Sequence, residues 1–455
     1  MARFSLPDLR LRAESNPLDR PAAVAAALGL ILAPLLGIAV AGAPVAATSL
    51  VVAGVSFAVL LGRPHWAAYG VCFAMFFAHT WLPLGPAQLD PGDLATLILV
   101  PIWLLDRLSG RRQPRLLPHW WLVPTLLAWM TASLLLAGIP SGVLGRFARE
   151  VQMLATCLAV MDLLAEERRL WIALGCMAAG GAIEVGLALP EFGSAYRVGG
   201  AYEQPNLFAH FIATAVVPVV ALWTVARART VRTLLLGLLG VMLLAVVLSI
   251  SRGTYIALGL ALFWWVRQNR RQVALLVAVT VVLGVVVPSV RGKDTDEIGE
   301  RLEMKDESVT HRWATVINGL NATRAHPVFG VGYGQFRKLD HAVEVTSQAG
   351  RSAHNFYLTL AATCGIPSLL IYLAILAGVM RRLARWQRQF VEAGAPAHLE
   401  RSALLVKAAQ AMMIYLVVTS MTKGVGMTLW VVIGLAGAAA LLPQRAPATE
   451  PGART

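Results

Sequence analysis

One histidine and two arginines, far apart in the sequence, have side chains that could hold a phosphate and remove a proton. Arg197 lies in a loop rich in glycine and aromatic residues, Arg252 lies in a short turn between two apolar segments, and His354 stands where a long polar segment meets an apolar one. A guanidinium group is a planar fork of donors that matches phosphate oxygens. A neutral imidazole can accept a proton from a hydroxyl group.

Each of these residues also has a simpler interpretation. Arg252 could extend its head group to the membrane interface, Arg197 could be a solvated loop residue, and His354 could be a polar residue at a helix start. Because an arginine that meets lipid is costly, a cavity or an anionic partner suits Arg252 better. Convergence of the three residues on one site would favour the chemical interpretation.

The loop that carries Arg197 continues into the start of a helix. Gly199 and Gly200 permit close approach of the backbone, and Pro205 followed by Asn206 is typical of a first helical turn. The free N–H groups of such a turn favour an anion. The loop is therefore a second candidate element for binding a phosphate.

The composition is that of an integral membrane protein. Of the 455 residues, 57% are hydrophobic and 14% are charged, whereas soluble proteins carry roughly a quarter charged residues. The apolar runs are continuous and reach about 20 residues, which predicts membrane-spanning helices and not a barrel. The formal charge of +14 comes from short basic clusters between these runs. This distribution is the positive-inside pattern, so we expect membrane lipids and no nucleic acid as partners.

The hydropathy pattern predicts an all-α membrane protein with about 12 to 14 transmembrane helices. Candidate spans are 21–41, 44–61, 66–83, 93–106, 119–138, 147–164, 169–189, 206–226, 232–250, 253–266, 272–290, 355–380, 403–421 and 425–442. Residues 1–20 are polar and basic and predict a cytoplasmic tail, not a cleaved signal peptide. The predicted organisation continues with transmembrane helices over 21–290, one large outer loop over 291–354, further transmembrane helices over 355–442 and a cytoplasmic tail over 443–455.

Alternating the direction of these spans from a cytoplasmic N-terminus makes the inward-facing connections basic. The arginines concerned are Arg107, Arg111, Arg112, Arg115, Arg168, Arg169, Arg227, Arg229, Arg232, Arg267, Arg270, Arg271, Arg381, Arg382, Arg385 and Arg388. The same alternation puts Arg197, Arg252 and the loop over 291–354 on the outer face. Three polar features that are distant in the sequence are thus predicted to share one side of the membrane.

The long loop predicts an amphipathic helix. Ser308 can cap a helix that runs to about Arg324. Its apolar residues recur at helical spacing, which suits a helix lying on the bilayer or over a cavity; they are Val309, Trp313, Val316 or Ile317, and Leu320. His326 and Pro327 are expected to end it, and the glycines from Gly330 to Gly334 supply a tight turn.

Carboxylates give only a weak indication of a metal site. Asp294 and Asp296 are spaced as a ligand pair could be, but they lie in a solvated run of mixed charge. Asp90 and Asp93 could serve a metal or act as a base, yet they also suit a helix start. We therefore predict no metal and no cofactor.

Several other polar or reactive residues fall inside apolar runs. Glu184 and the pair Arg149 and Glu150 are expected to line a cavity. The cysteines have no metal-ligand spacing and are expected to be small core residues; they are Cys72, Cys157, Cys176 and Cys364.

Between about 190 and 365 the chain resembles the O-antigen ligase family, within a broader group of membrane enzymes that includes O-antigen polymerases. The order and spacing of several pieces carry the resemblance together. They are Arg197 with Gly199 or Gly200 and then Pro205–Asn206, the turn Ser251–Arg252–Gly253, Arg312 with Trp313, the segment from His326 to Phe336, and His354–Asn355–Phe356–Tyr357.

The resemblance implies a GT-C-like fold of about twelve transmembrane helices, with a large periplasmic loop, in the bacterial inner membrane. It implies metal-independent transfer of a glycan from undecaprenyl diphosphate to an acceptor hydroxyl, with inversion at the anomeric carbon. Arg197 and Arg252 would hold the diphosphate and Arg312 would help from the loop. His354 would take the proton of the acceptor and Asn355 would orient it, with Asn206, Ser251 and Tyr357 in support.

Several functions share this donor chemistry. The leading hypothesis is a ligase whose acceptor is lipid A core oligosaccharide, as in lipopolysaccharide biosynthesis. A polymerase would use a growing lipid-linked glycan as acceptor, and an oligosaccharyltransferase would use a protein. From another class, a transporter of polyprenyl-linked glycans is possible, although transporters tend to show internal repeats and charges near the membrane midplane. No clear repeat relates the two halves of this sequence.

Overall fold

The computed structural model describes residues 60–78, 82–84, 87–110, 113–140, 142–194, 197–202, 204–267, 307–336, 355–394, 396–422 and 426–442. The chain divides into two compact units, Met1–Arg63 and Pro64–Thr455. In the first unit the description is limited to one turn, which Arg63 closes by donating its N–H to the Leu60 carbonyl at 3.0 Å. The predicted spans 21–41 and 272–290, nearly all of 44–61, both tails, and Asp294 with Asp296 lie outside the described residues.

The second unit is built mainly from α-helices. In chain order those of the described residues are α1 (Pro64–Ala74), α2 (Pro91–Leu108), α3 (Leu122–Leu136), α4 (Val143–Leu163), α5 (Glu167–Ala188), α6 (Pro205–Val225), α7 (Arg229–Leu248), α8 (Arg252–Val266), α9 (Glu307–Ala325), α10 (Phe356–Glu392), α11 (Glu400–Thr419) and α12 (Gly426–Ala440). Apart from α9, each lies at a predicted span. Short 3₁₀ turns follow α1 and α5 and precede α6 and α11.

One predicted span needs a correction. A helix was expected over 66–83, but α1 ends at Ala74 and its 3₁₀ extension ends at Phe77. A two-stranded antiparallel ribbon follows, in which β1 (Leu82–Leu84) pairs with β2 (Ala87–Leu89). Pro83 and Pro86 explain the change, because proline interrupts a helix in an otherwise apolar run. The fold of the described residues is thus helical with one small ribbon.

Length and composition support a multi-pass membrane protein. Five of the described helical segments are long and apolar enough to cross a bilayer, and two shorter ones, Leu122–Leu136 and Gly426–Ala440, are also apolar. Helix α12 is buried from Met427 to Ala440, whereas α7 exposes apolar side chains such as Leu234 at 68%. An apolar surface of that kind suits contact with lipid. The predicted total of about 12 to 14 transmembrane helices stays a prediction.

The helix starts follow from local residue chemistry. Asp90 and Asp93 form a reciprocal capping box at α2, where the Asp93 N–H donates to Asp90 Oδ1 at 2.8 Å and the Asp90 N–H donates to Asp93 Oδ2 at 3.3 Å. The interpretation of these aspartates as a helix start is confirmed. Asn355 caps α10 in the simpler way, since its Oδ1 accepts the Leu358 N–H at 3.0 Å.

Carboxylates contact arginines at one end of the helical unit. At the end that carries the predicted inner connections, Asp162 lies 2.6 Å from Arg107 Nε and accepts the Trp103 indole N–H at 2.8 Å. Arg169 pairs with Glu166 at 3.0 Å at this same end. Carboxylates therefore neutralise part of the basic cluster there.

Helix α10 is interrupted in its first third, where a continuous span was predicted. Gly365 has φ +84 and ψ 169, and Pro367 follows it. The segment after α9 docks at this break: the Val331 N–H donates to the Ala362 carbonyl at 2.9 Å, and the Gly332 N–H donates to the Thr363 carbonyl at 3.0 Å. The carbonyls that the break leaves without helical partners are thus satisfied from outside the helix.

Helix α3 closes the same junction from the other side. Ser133 Oγ donates to the carbonyls of Phe329 and Thr363 at 2.8 and 2.9 Å. Trp129 donates its indole N–H to the Cys364 carbonyl at 3.0 Å and stacks on Phe329 with 5.0 Å between ring centroids. The predicted glycine turn therefore exists, and it fastens the long loop to two helices.

We expect Gly365→Ala to destabilise the protein strongly. A Cβ at Gly365 would lie 1.9 Å from the Val328 carbonyl oxygen, and the positive φ adds strain. We expect a loss of at least about 3 kcal/mol, seen as a lower midpoint of thermal unfolding in detergent. Gly259→Ala is the matched control, because a Cβ there meets nothing within 4 Å. Equal midpoints for the two variants would contradict the docked break.

Candidate functional site

The turn between α7 and α8 has almost no connecting residues. Ser249 caps the C-terminus of α7, Ile250 follows with φ +52, and Ser251 precedes the first residue of α8. Ser251 is buried and its Oγ lies 2.9 Å from Thr254 Oγ1. Because the turn is this short, Arg252 emerges at the very end of the two helices with an exposed side chain.

Arg197 holds this turn from a different part of the chain. Its Nε donates to the Ser249 carbonyl at 2.9 Å, and its Nη2 donates to the Ile250 carbonyl at 3.4 Å. The same Nη2 donates to Asn206 Oδ1, at the start of α6, at 3.0 Å. Arg197 is therefore not a solvated loop residue: it joins the α6 start to the turn that carries Arg252.

The loop around Arg197 is fastened at several points. Glu191 accepts the N–H groups of Gly199 and Gly200 at 2.9 and 3.0 Å, and the Val198 N–H donates to the Leu248 carbonyl at 3.1 Å. Tyr202 donates its hydroxyl to the Phe76 carbonyl. Burial raises the pKa of Tyr202 well above its usual range, so this donor stays protonated.

Glu191 was not a candidate residue in the sequence, and it changes the interpretation of the glycine pair. The N–H groups of Gly199 and Gly200 hold a carboxylate of the protein itself, so they are committed to loop structure. Close approach of the backbone is confirmed at Gly200, which has φ +53 and would bring a Cβ within 3.0 Å of Phe208. The sequence indicated this contact only through one acidic residue, Glu191, that lies upstream of Gly199 and Gly200.

A second arm of the site lies at the start of α10. The Phe356 N–H donates to the Ser420 carbonyl at 2.8 Å, and Tyr357 Oη donates to the Val417 carbonyl at 2.9 Å. Both acceptors belong to the C-terminal end of α11. Asn355, the cap of α10, is therefore fixed next to that end.

The two arms meet at the same few residues. A Cβ at Gly253 would lie 2.7 Å from Thr422 Oγ1, so the start of α8 packs directly on the residues that follow α11. Arg252 stands beside Gly253, and Asn355 is attached to Ser420 through its neighbour Phe356. The structure thus brings Arg197, Asn206, Ser251, Arg252, Asn355 and Tyr357 to one end of the helical unit, as their predicted common side required.

The remaining predicted residues are described only in part. His354 lies outside the described residues and directly precedes Asn355. Arg312 is placed within the first two turns of α9, whose Gly319 packs closely on Leu358 of α10. The loop helix therefore lies against the element that begins after His354.

The loop helix is confirmed. Its described part, Glu307–Ala325, includes the predicted cap Ser308 and ends before His326 as expected. Its buried side is small and polar, including Thr315 and Asn318, while the apolar stripe is exposed; that stripe is Trp313 at 64%, Ile317 at 49% and Leu320 at 46%. An exposed apolar stripe favours the bilayer surface over a protein cavity as its partner.

The other ionisable candidates form structural contacts. Arg149 pairs with Asp93, and Glu150 accepts the Trp430 indole N–H at 3.0 Å. Among the described residues no group of three His, Cys, Asp or Glu side chains could hold a metal ion. Glu184 is fully buried in α5, and Cys72, Cys157 and Cys364 are buried while Cys176 is partly exposed.

Residues 237–373 match the family model described as O-antigen ligase. The sequence of this segment is thus similar to that of the O-antigen ligase family. The O-antigen ligase segment runs from α7 to the first half of α10 and includes Arg252, Arg312 and Asn355. A comparison with curated proteins found no match.

Part of the candidate site lies within the matched segment and part lies outside it. The O-antigen ligase segment contains the α7–α8 turn, the loop helix, the glycine turn and the break in α10. Arg197 and Asn206 lie before it, and the acceptor carbonyls of α11 lie after it. The site of the described residues is therefore completed by elements on both sides of the matched segment.

We expect the Arg197–Asn206 contact to be energetically coupled. Arg197→Lys keeps the charge but removes the planar fork that reaches both the turn and Asn206. Combined with Asn206→Ala it should show a coupling energy of about 1 kcal/mol or more in free energies of unfolding from detergent titrations. Arg197→Lys combined with Asn321→Ala, which changes an exposed asparagine of α9, is the control. Additivity in both pairs would contradict the bonded geometry.

Proposed function

We propose that this protein is a glycosyltransferase that moves a glycan from undecaprenyl diphosphate to a hydroxyl group of lipid A core oligosaccharide. One observation carries the proposal: an exposed arginine, Arg252, and the cap of α10, Asn355, are held at the same end of α11. The match to the O-antigen ligase family supports the reaction class. The proposed site faces the periplasm, in the inner membrane of a bacterium.

In the proposed reaction the diphosphate of the donor binds at the α7–α8 turn. Arg252 contacts the phosphate oxygens, and Arg197 holds the turn and adds its charge nearby. Arg312 approaches from the loop helix. As the glycan leaves, negative charge grows on the diphosphate, and guanidinium groups in fixed positions stabilise that charge.

The acceptor enters from the side of α10. His354 takes the proton of the acceptor hydroxyl, whose oxygen forms a bond to the anomeric carbon of the glycan while the bond from that carbon to the diphosphate oxygen breaks. Undecaprenyl diphosphate is released, and the configuration at the anomeric carbon is inverted. Asn355 orients the imidazole or the sugar, and Tyr357 and Ser251 keep the two arms in place.

The exposed apolar surfaces fit a lipid-linked donor. The stripe of α9 is proposed to lie on the bilayer beside the site. A donor anchored in the same bilayer presents its diphosphate at the level where α8 begins. The loop helix then limits access of water, which would otherwise hydrolyse the donor.

The first test is glycan transfer by the purified protein from an undecaprenyl diphosphate-linked donor to lipid A core, in the presence of a chelator. His354→Ala is expected to lose at least about 100-fold in rate while it still binds donor. His398→Ala, which changes a histidine at the opposite end of the helices, should retain activity. If His354→Ala is as active as the wild type, the proposed base is wrong.

The same assay separates the alternatives by their product. Extension of a lipid-linked glycan without transfer to lipid A core would identify a polymerase, and transfer to a protein would identify an oligosaccharyltransferase. Movement of the donor across a membrane with no new covalent product would identify a transporter. Loss of activity with chelator would contradict metal independence, and retention of the anomeric configuration would contradict direct displacement.

A second prediction concerns Arg252 alone. Because its side chain is exposed at the tip of α8, Arg252→Gln should raise the KM for the diphosphate donor by about tenfold or more. Arg229→Gln removes the same charge from an exposed position at the start of α7, at the other end, and should leave the KM unaltered. An unchanged donor KM in Arg252→Gln would remove this residue from the site.

A further inference from the structure

A cluster of one histidine and two arginines lies at the opposite end of the helices from the proposed transfer site. His119 precedes α3 and sits directly on α10, since a Cβ at Gly378 would lie 2.3 Å from His119 Nε2. Arg382 and Arg385 follow Gly378 by four and seven residues, which places them on the same face of α10. Three nitrogen-rich side chains thus gather around one strip of α10.

Two polar atoms of this cluster are buried and have no protein partner in the described part of the chain. Nε of Arg382 and Nε2 of His119 are both buried without a hydrogen-bond partner there. A buried donor without a partner is costly, so such groups usually bind something. Other arginines of this end do have carboxylate partners, namely Arg107 with Asp162, Arg169 with Glu166 and Arg401 with Glu167.

The two arginines lie close enough to His119 to affect its protonation. Burial lowers the pKa of His119, and the nearby Arg385 and Arg382 guanidinium groups lower it further. The imidazole is therefore neutral and offers an N–H or a lone pair, while the two arginines supply the charge. An anion with several oxygens, such as a phosphate, would satisfy all three groups.

The neighbouring residues indicate where the anion comes from. Trp120 and Trp121 follow His119 and are exposed by 43% and 54%. Exposed tryptophans at the end of an apolar helix are typical of the interface between bilayer and water. Helix α3, which begins directly after them, is apolar. The cluster therefore lies at the level of lipid headgroups.

We propose that His119, Arg382 and Arg385 bind the phosphate of an anionic phospholipid at this end of the protein. Basic pockets between helices on the cytoplasmic side are a known way to recognise acidic headgroups. The site is separate from the diphosphate-binding turn and does not depend on the proposed glycan transfer. Its expected effect is to fix α3 against the far half of α10.

The test uses the full chain in detergent, with phosphatidylglycerol, phosphatidylcholine or inorganic phosphate added separately. Binding is followed by native mass spectrometry and by the shift of the unfolding midpoint. The wild type should retain phosphatidylglycerol in preference to phosphatidylcholine. Stabilisation by inorganic phosphate equal to that by phosphatidylglycerol would overturn the lipid assignment, because it would indicate a soluble anion.

Matched variants locate the site. Arg382→Gln combined with Arg385→Gln should weaken phosphatidylglycerol binding by about tenfold or more. Arg227→Gln combined with Arg229→Gln removes the same charge from exposed arginines at the start of α7, on a different helix at the same end, and should change binding by less than about twofold. Equal losses in the two pairs would show a diffuse charge effect and overturn the proposal. Arg385→Gln alone changes an exposed side chain, so it decides the question even if the double variant folds poorly.

Discussion

The hydrogen bonds from Arg197 to the α7–α8 turn are the contact on which the candidate site depends. The end of α7 leaves carbonyl groups without helical partners, and Ile250 adopts a left-handed conformation that costs a β-branched residue about 1–2 kcal/mol. Each hydrogen bond from a charged donor contributes about 1.5–3 kcal/mol. Arg197 therefore offsets the strain of a turn that is short enough to put Arg252 at the tip of α8. A longer and more relaxed turn would leave the direction of Arg252 undefined.

Helix α10 connects this turn to the loop. Its first residues bind the end of α11, next to the start of α8, and its break at Gly365 receives the segment that follows α9. The described residues on either side of the segment 337–354 are thus attached to α10 or cap it. A single helix therefore sets the position of Asn355 and of the loop helix, and its break is filled by backbone N–H groups and by Ser133 Oγ.

The sequence predicted much of this arrangement, because membrane helices follow from hydropathy; the direction predicted from the basic clusters stays a prediction. It also predicted that Arg197, Arg252 and Asn355 would share one end. It did not predict that Arg197 binds carbonyl groups of α7, because a contact between residues about 50 apart leaves no local pattern. The exposed stripe of α9 was identified correctly, but periodicity alone does not say which face packs on protein. Gly365 and Pro367 could have predicted the break in α10, but the apolar run around them led to the prediction of a continuous span.

The way Arg197 is held also bears on the proposed chemistry. A leaving diphosphate gains charge within the time of bond breaking, so donors that must first reorganise stabilise it poorly. An arginine on a solvated glycine loop would have to be ordered by the substrate at an entropic cost. Here Glu191, the end of α7 and Asn206 order the loop before any donor arrives. In the proposed reaction Arg252, exposed on a rigid turn, contacts the diphosphate. Arg197 fixes the position of that turn.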